Sequence, residues 1–455
     1  MKQKTRGLRQ STAGYALAGA IIVLFVMGIV GTAFLVMAGY EVRATEAQTD
    51  SQRAFWLAEA GKERAIDWMT RQSTPPGSDR SIYANQTGPN GGTYSVQVLV
   101  DTTLNFAAEK AFLIESVGEY QGHERRIRQR IRMTSFATYA YFTNDEIGVG
   151  GQIIWFATGN VVEGRLHSNG RLHILGSPVF LGEVTSASDR MIGSPNYNVY
   201  DADGWPVGSN NPTFAEGFRL NSDVIPLPES TGDLRAAAQG GGRFLAGGHT
   251  IEVGYTGNQP AGTPRLGWLR YQPNGGGAWD SLEIAALDPR VVYVDGDANV
   301  WGVLDGELTI SSSSDITLID DLTYAASDAA ATPLPGCNDM MGLVAEDNII
   351  FNYDVPRTDN LKVNAVLMAL NTSITAEQYN NGVLRGSLTI WGGLIQERRG
   401  AVGLAGGAGG GITSGYQKDY HYDPRVTGRK PPEFPLTGVY EEVRWDETWD
   451  TSNPF

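Results

Sequence analysis

The stretch Tyr15–Tyr40 (YALAGAIIVLFVMGIVGTAFLVMAGY) carries no charged residue and no proline. As a helix rising 1.5 Å per residue it would be roughly 39 Å long, enough to cross a bilayer hydrocarbon core of about 30 Å. Lys2, Lys4, Arg6 and Arg9 precede it, with no acid among them. Such a basic flank stays cytoplasmic, so the rest of the chain is expected to be translocated. The apolar run exceeds the core of about 7–15 residues found in a cleaved secretory signal, and no A-x-A-like site closes it. The remainder of the chain therefore reads as cargo on a membrane-inserted stalk.

Helical sequence continues beyond the apolar run. Glu41–Gln72 is rich in Ala, Glu, Arg and Gln, and its single glycine is Gly61. Ala47, Ala54, Ala58, Gly61 and Ala65 form a stripe of small residues, and Ser73-Thr74-Pro75-Pro76-Gly77 is a strong stop. In the membrane half, Gly19, Gly28, Gly31 and Gly39 permit close helix approach. Gly19, Gly28, Gly31, Gly39, Ala54, Ala58 and Gly61 are together expected to form a helix-assembly face.

A short basic leader, a glycine, an aromatic residue, an apolar span and an amphipathic continuation resemble a type IV pilin or pseudopilin. Arg53-Ala54-Phe55-Trp56-Leu57-Ala58-Glu59-Ala60-Gly61 is similar to the A-F-x-x-A-E-A-G stretch of PilX-type minor pilins. The resemblance implies cleavage by a prepilin peptidase between Gly14 and Tyr15. Two departures stand out: Gly19 occupies the fifth mature position, where major pilins carry Glu, and Tyr15 replaces the usual Phe. They point to a minor or tip subunit. The plainer alternative is a signal-anchored envelope protein that never enters a filament.

Thr93–Asp101 alternates as a strand does, and Lys110–Tyr120 with His123–Met133 reads as a hairpin about Gln121-Gly122. Arg126, Arg128, Arg130 and Arg132 share one face of the last strand. A net charge of −15 argues against a nucleic-acid partner, so acids such as Glu115 and Glu119 on the neighbouring strand are the expected counterparts of this row. A long helix followed by a small antiparallel sheet is the architecture that the resemblance implies.

From about Ala137 onward, short apolar runs alternate with Gly, Asn, Asp and Ser turns. In Val291–Leu322 strand centres recur about every 8 residues, as in a parallel β-helix or solenoid. A β-sandwich gives similar spacing. Gly164-Arg165-Leu166-His167-Ser168-Asn169-Gly170, followed by Gly176, Pro178-Val179-Phe180 and Gly182, resembles the signature of a domain of unknown function commonly joined to PilX-type N-termini. His167, Ser168, Asn169 and Gly170 are its motif residues, and Tyr420–Arg425 is similar to the end of that domain.

Residues for catalysis are sparse in this sequence. Asp320-Asp321 are adjacent, so on a strand they would point to opposite faces, unlike an acid/base pair about 5–9.5 Å apart. The five histidines lack metal-ligand spacing, Asp201–Gly204 and Asp295–Asp297 lack a complete calcium loop, and the single Cys337 excludes cysteine clusters. The glycine runs lack the Lys-Ser/Thr of a phosphate loop. No catalytic residue, metal or cofactor is assigned.

The expected fold is α+β. Residues 1–14 are a leader, 15–40 a transmembrane helix, 41–74 a stalk helix, 75–136 a small antiparallel sheet and 137–455 a β-rich, β-helix-like head. The expected role is a non-enzymatic subunit of a type IV pilus or secretion filament, single-pass in the inner membrane with its bulk periplasmic or on the cell surface. Its expected partners are the inner membrane, prepilin peptidase, other pilin-like subunits and a surface glycan or protein ligand. A membrane-tethered carbohydrate-active enzyme is the competing reading from another class.

Overall fold

The computed structural model describes residues 13–72, 76–101, 110–193, 197–200, 207–257, 266–354, 357–406 and 411–448. The chain divides into two compact units. One comprises Met1–Asp101, Phe112–Ile131 and Glu442–Phe455; the other comprises Thr102–Ala111 and Arg132–Glu441. The C-terminal segment thus belongs with the N-terminal unit, where the sequence had suggested that it ends the head.

The first unit is built on helix α1, Ala13–Thr70, of 58 residues. The apolar run and the Ala/Glu/Arg-rich run are continuous because no helix breaker separates them. Of the stop Ser73–Gly77, residues 73–75 lie outside the described residues. A five-stranded sheet follows, in the order Arg80–Thr87, Thr93–Val100, Lys110–Tyr120, His123–Ser135, Leu436–Thr448. The expected strand and hairpin are therefore present. Gln121 and Gly122 take φ of 49° and 79°, the left-handed pair that a two-residue hairpin turn requires. Val96, Val98, Ile114, Ile127 and Ile131 are fully buried, as are Ala54, Ala58 and Ala65 of α1. The fifth strand came without warning, since long-range pairing leaves no local periodic signal.

In the second unit one long sheet stacks strands in parallel. Its spatial order is Arg243–Ala246, Val291–Asp295, Glu307–Ser312, Met340–Ala345, Lys362–Ala369, Leu384–Arg398, Tyr139–Asp145, Arg165–Ser168, Val184–Ser186, Phe218–Arg219. The chain enters mid-sheet at Tyr139, builds outward to Arg219, resumes at the far edge at Arg243 and returns until Leu394 pairs with Tyr141. This unit consequently contains a seam at which its first strand meets one of its last.

Register explains the sequence pattern. Val292, Ile310, Leu343, Leu367, Leu394, Tyr141, Leu166 and Val184 align across neighbouring strands and face one core. The next position along each strand, including Val344, Met368, Ile395 and Phe142, faces a second core with α2 (Gly232–Gly240), Ile225, Val426 and Phe434. Both faces are covered, so Val291–Asp295, Met340–Ala345 and Lys362–Ala369 read as nearly continuous apolar runs. Other strands are antiparallel: His249–Tyr255 with Gly267–Pro273, Gly267–Pro273 with Asp280–Glu283, and Gly403–Ala405 with Ile412–Tyr422. The sheets are mixed, where a β-helix expectation implies a wholly parallel stack.

Candidate functional sites: an unpartnered helix and a buried polar seam

Helix α1 changes character along its length. From Leu17 to Val42 its side chains are exposed, with Phe25 at 71% and Leu35 at 75%. Among the described residues it is the helix long and apolar enough to cross a membrane. Gly14 and Tyr15, the expected cleavage pair, fall within the helix. A Cβ placed on Gly19, Gly28, Gly31 or Gly39 would touch nothing within 4 Å. These four glycines lie on an open helix surface in this structure.

Ala54, Ala58 and Gly61 do not, which divides the expected assembly face. They pack on the unit's own sheet. Ser116 Oγ donates to the Ala58 carbonyl at 2.6 Å, and a Cβ on Gly61 would run into Ser116, Tyr94 and Val96. On the facing strand, a Cβ on Gly118 would run into the Ala54 and Ala58 backbone. Small residues permit close approach of a helix to a sheet as well as to another helix, so the stripe alone did not identify its partner. The residues between point elsewhere. Trp56 is 67% exposed, and Glu59 accepts from Trp445 Nε1 at 2.9 Å.

The arginine row is matched by acids. Glu115 takes both Arg126 (2.6 Å) and Arg128 (3.0 Å), Asp101 takes Arg130 (2.7 Å) and Glu441 takes Arg132 (3.2 Å). Glu115 fills the role expected of it; Asp101 and Glu441 were not foreseen. Each arginine of the row thus has an acid within ion-pair distance, with Glu115 shared by two.

The His167–Gly170 motif lies inside the second unit as a polar lock. His167 joins Thr185 Oγ1 (2.7 Å) through Nδ1 and Asn169 Oδ1 (2.9 Å) through Nε2. Its ring stacks on Phe142 with centroids 5.3 Å apart. Burial pushes the imidazole pKa down, against the opposing pull of the Asn169 bond. Asn169 also donates to Asn144 Oδ1 (2.9 Å) and the Ile225 carbonyl (2.7 Å). Ser168 Oγ donates to Thr143 Oγ1 (2.9 Å) and accepts from the Gly170 amide (3.1 Å). A Cβ on Gly170 would press against Asn144 O and Glu146 N, both at 3.2 Å. The motif thereby fastens neighbouring strands of the sheet to one another and to the Ile225 segment.

Beside it lies a cluster that the sequence did not reveal. Arg399 Nη1 donates to Glu146 Oε2 at 3.0 Å and to the Ile154 carbonyl at 2.7 Å, while Thr143 Oγ1 donates to Glu146 Oε1. The guanidinium lies 3.8 Å from the Phe156 ring centroid. Tyr141, Phe156, Asn160, Arg399, Lys418 and Tyr420 are among the residues lining a cavity of about 70 Å³. Burial and the nearby Arg399 push the Lys418 amine down to about 7, with Glu146 opposing. Burial pushes the Tyr141 and Tyr420 hydroxyls well above their ordinary value. The available signal was a lysine interrupting a period-two row of tyrosines: Tyr416, Lys418, Tyr420, Tyr422.

The remaining candidates are engaged locally. Asp320 takes Arg357 Nε at 2.9 Å, and Asp321 takes the Lys362 amide at 2.8 Å. Asp295 pairs with Arg235 at 3.2 Å. His421 bridges Glu163 (3.1 Å) and Asp419 (3.0 Å) and stacks on Trp391. Asp201–Gly204 lies outside the described residues. Among those described, no group of three or more His, Cys, Asp or Glu is placed to hold a metal ion.

A family model described as a domain of unknown function (DUF4900) matches residues 93–188, a span that contains the His167–Gly170 motif. A search of curated proteins finds no match. Among solved structures, the competence-associated pilin ComZ from Thermus thermophilus aligns at 14% identity with a TM-score of 0.34, covering 88% of this chain and 98% of that one.

Proposed function

We propose that this protein is a pilin-like, non-enzymatic subunit of a type IV pilus or related secretion filament, of the PilX-type minor class. The observation that carries the reading is the division of α1. Its first half is apolar, exposed and lined with open glycines, whereas its second half packs on a small antiparallel sheet. An apolar helix of this kind is stable in lipid, and it leaves the bilayer only when other such helices replace the lipid around it.

In this reading the leader is removed between Gly14 and Tyr15 by a prepilin peptidase. Cleavage takes away Lys2, Lys4, Arg6 and Arg9 and no acid, which leaves the mature chain more acidic. The second unit, read as a β-solenoid on the support of its successive parallel pairings, is displayed beyond the inner membrane. There it presents a surface for adhesion to a glycan or protein, or for assembly. The paired state of the arginine row and the local engagement of Asp320 and Asp321 favour this mechanical role over nucleic-acid binding or glycoside hydrolysis.

The test is to shear surface filaments from cells and probe them for this chain. Its presence in the filament fraction supports the reading. Retention of all of it in the inner membrane, with filaments present, would favour the signal-anchored alternative.

A further inference from the structure

We propose that the seam cavity is a binding site for a small monocarboxylate, held between the Lys418 amine and the Arg399 guanidinium. Residues from the two ends of this unit's path line it: Tyr141, Phe156 and Asn160 on one side, Arg399, Lys418 and Tyr420 on the other. Two basic side chains, Lys418 and Arg399, face one acid, Glu146, and that acid is already committed to Arg399 Nη1 and the Thr143 hydroxyl. Among the described residues Lys418 has no carboxylate partner. Arg399 Nε is buried and makes no hydrogen bond, so one more acceptor would satisfy a group that is otherwise costly to bury.

Size and charge select the ligand class. A volume of about 70 Å³ compares with about 30 Å³ per molecule of liquid water, which leaves room for only a few heavy atoms. One surplus positive charge calls for a monoanion. A carboxylate offers two oxygens, one for each cation, and its short apolar end would lie against the rings of Phe156 and Tyr141.

The charged and titratable groups around Lys418 give the site a signature. Burial keeps Tyr141 and Tyr420 neutral, and Glu146 accepts from Arg399 Nη1. Lys418 changes state near neutrality, with its amine pushed down to about 7, and burial and Arg399 push the nearby His173 below its ordinary value. A bound carboxylate draws a proton onto that amine. Affinity should therefore fall about tenfold per unit as pH rises above about 7, with uptake of about one proton per ligand bound.

The experiment is calorimetric titration of the full chain in detergent micelles with sodium acetate. It is run from about pH 6 to pH 9 in two buffers of different ionisation enthalpy, with inorganic phosphate as a second arm. The expected result is saturable one-to-one binding that weakens about tenfold per unit above pH 7, takes up a proton and is lost in Lys418→Met. No saturable heat, a flat pH profile, or unchanged affinity in Lys418→Met would overturn the proposal. Tighter binding of phosphate than of acetate would overturn the carboxylate assignment. Should Lys418→Met fail to fold, the pH profile and proton count of the unaltered chain decide.

Discussion

Arg399 donates to Glu146 at 3.0 Å with both side chains buried, and the pair joins residues 253 apart in the chain. It sits where the strand Leu384–Arg398 meets the strand Tyr139–Asp145, so it closes the path of the second unit. A second bridge, Asn144 Nδ2 to Glu397 Oε1 at 2.8 Å, spans the same seam.

Removing one partner of the buried pair should cost far more than removing both. Glu146→Gln or Arg399→Met is expected to lower stability by about 3–5 kcal/mol, because the other group stays buried without its counterpart. The double variant should lose clearly less than the sum of the two. Urea unfolding of the four proteins measures the coupling directly.

Lys418 makes stability depend on alkaline pH. Its folded value near 7 lies below the ordinary 10.5, so between those values the unfolded chain binds more protons than the folded one. Stability should then rise with pH across this window, and below about pH 7 this group should contribute no slope. Lys418→Met should be the more stable protein at pH 7, with its advantage shrinking towards pH 10. Parallel denaturation curves of the two proteins across that range check the sign.

The helix-to-sheet contact of the first unit should be intolerant of added bulk. Gly118→Ala and Gly61→Ala would each force apart packed atoms and should cost about 1–3 kcal/mol. Gly28→Ala meets nothing in this structure and should leave thermal unfolding in micelles unchanged. Equal losses at all three positions would contradict the division of the stripe.

Glu115 is the hinge of the arginine row. Glu115→Gln leaves Arg126 and Arg128 without its charge and should cost about 1.5–3 kcal/mol, the range for hydrogen bonds to charged groups. Thermal unfolding at low and high salt is the check, and the loss should be smaller in high salt.

Local chemistry was legible in the sequence and distant pairing was not. The hairpin about Gln121-Gly122 was readable because alternation and a two-residue turn fix its register locally. Helix α1 was readable because it lacks any breaker before Ser73. The strand Leu436–Thr448 gave no hint that it joins the first unit's sheet. The seam was equally hidden, since nothing near Leu394 in sequence announces Tyr141 as its neighbour. His167–Gly170 was recognised as a motif, yet its role in locking Asn144 and Ile225 needed the fold. Lys418 escaped notice because a lone lysine in a strand ordinarily faces solvent.

The central claim is that α1 is a processed assembly helix and not merely an anchor. Mass spectrometry of the native N-terminus tests it most directly. The account predicts a mature chain beginning at Tyr15. An intact Met1, or a cut downstream of Tyr40, would contradict it.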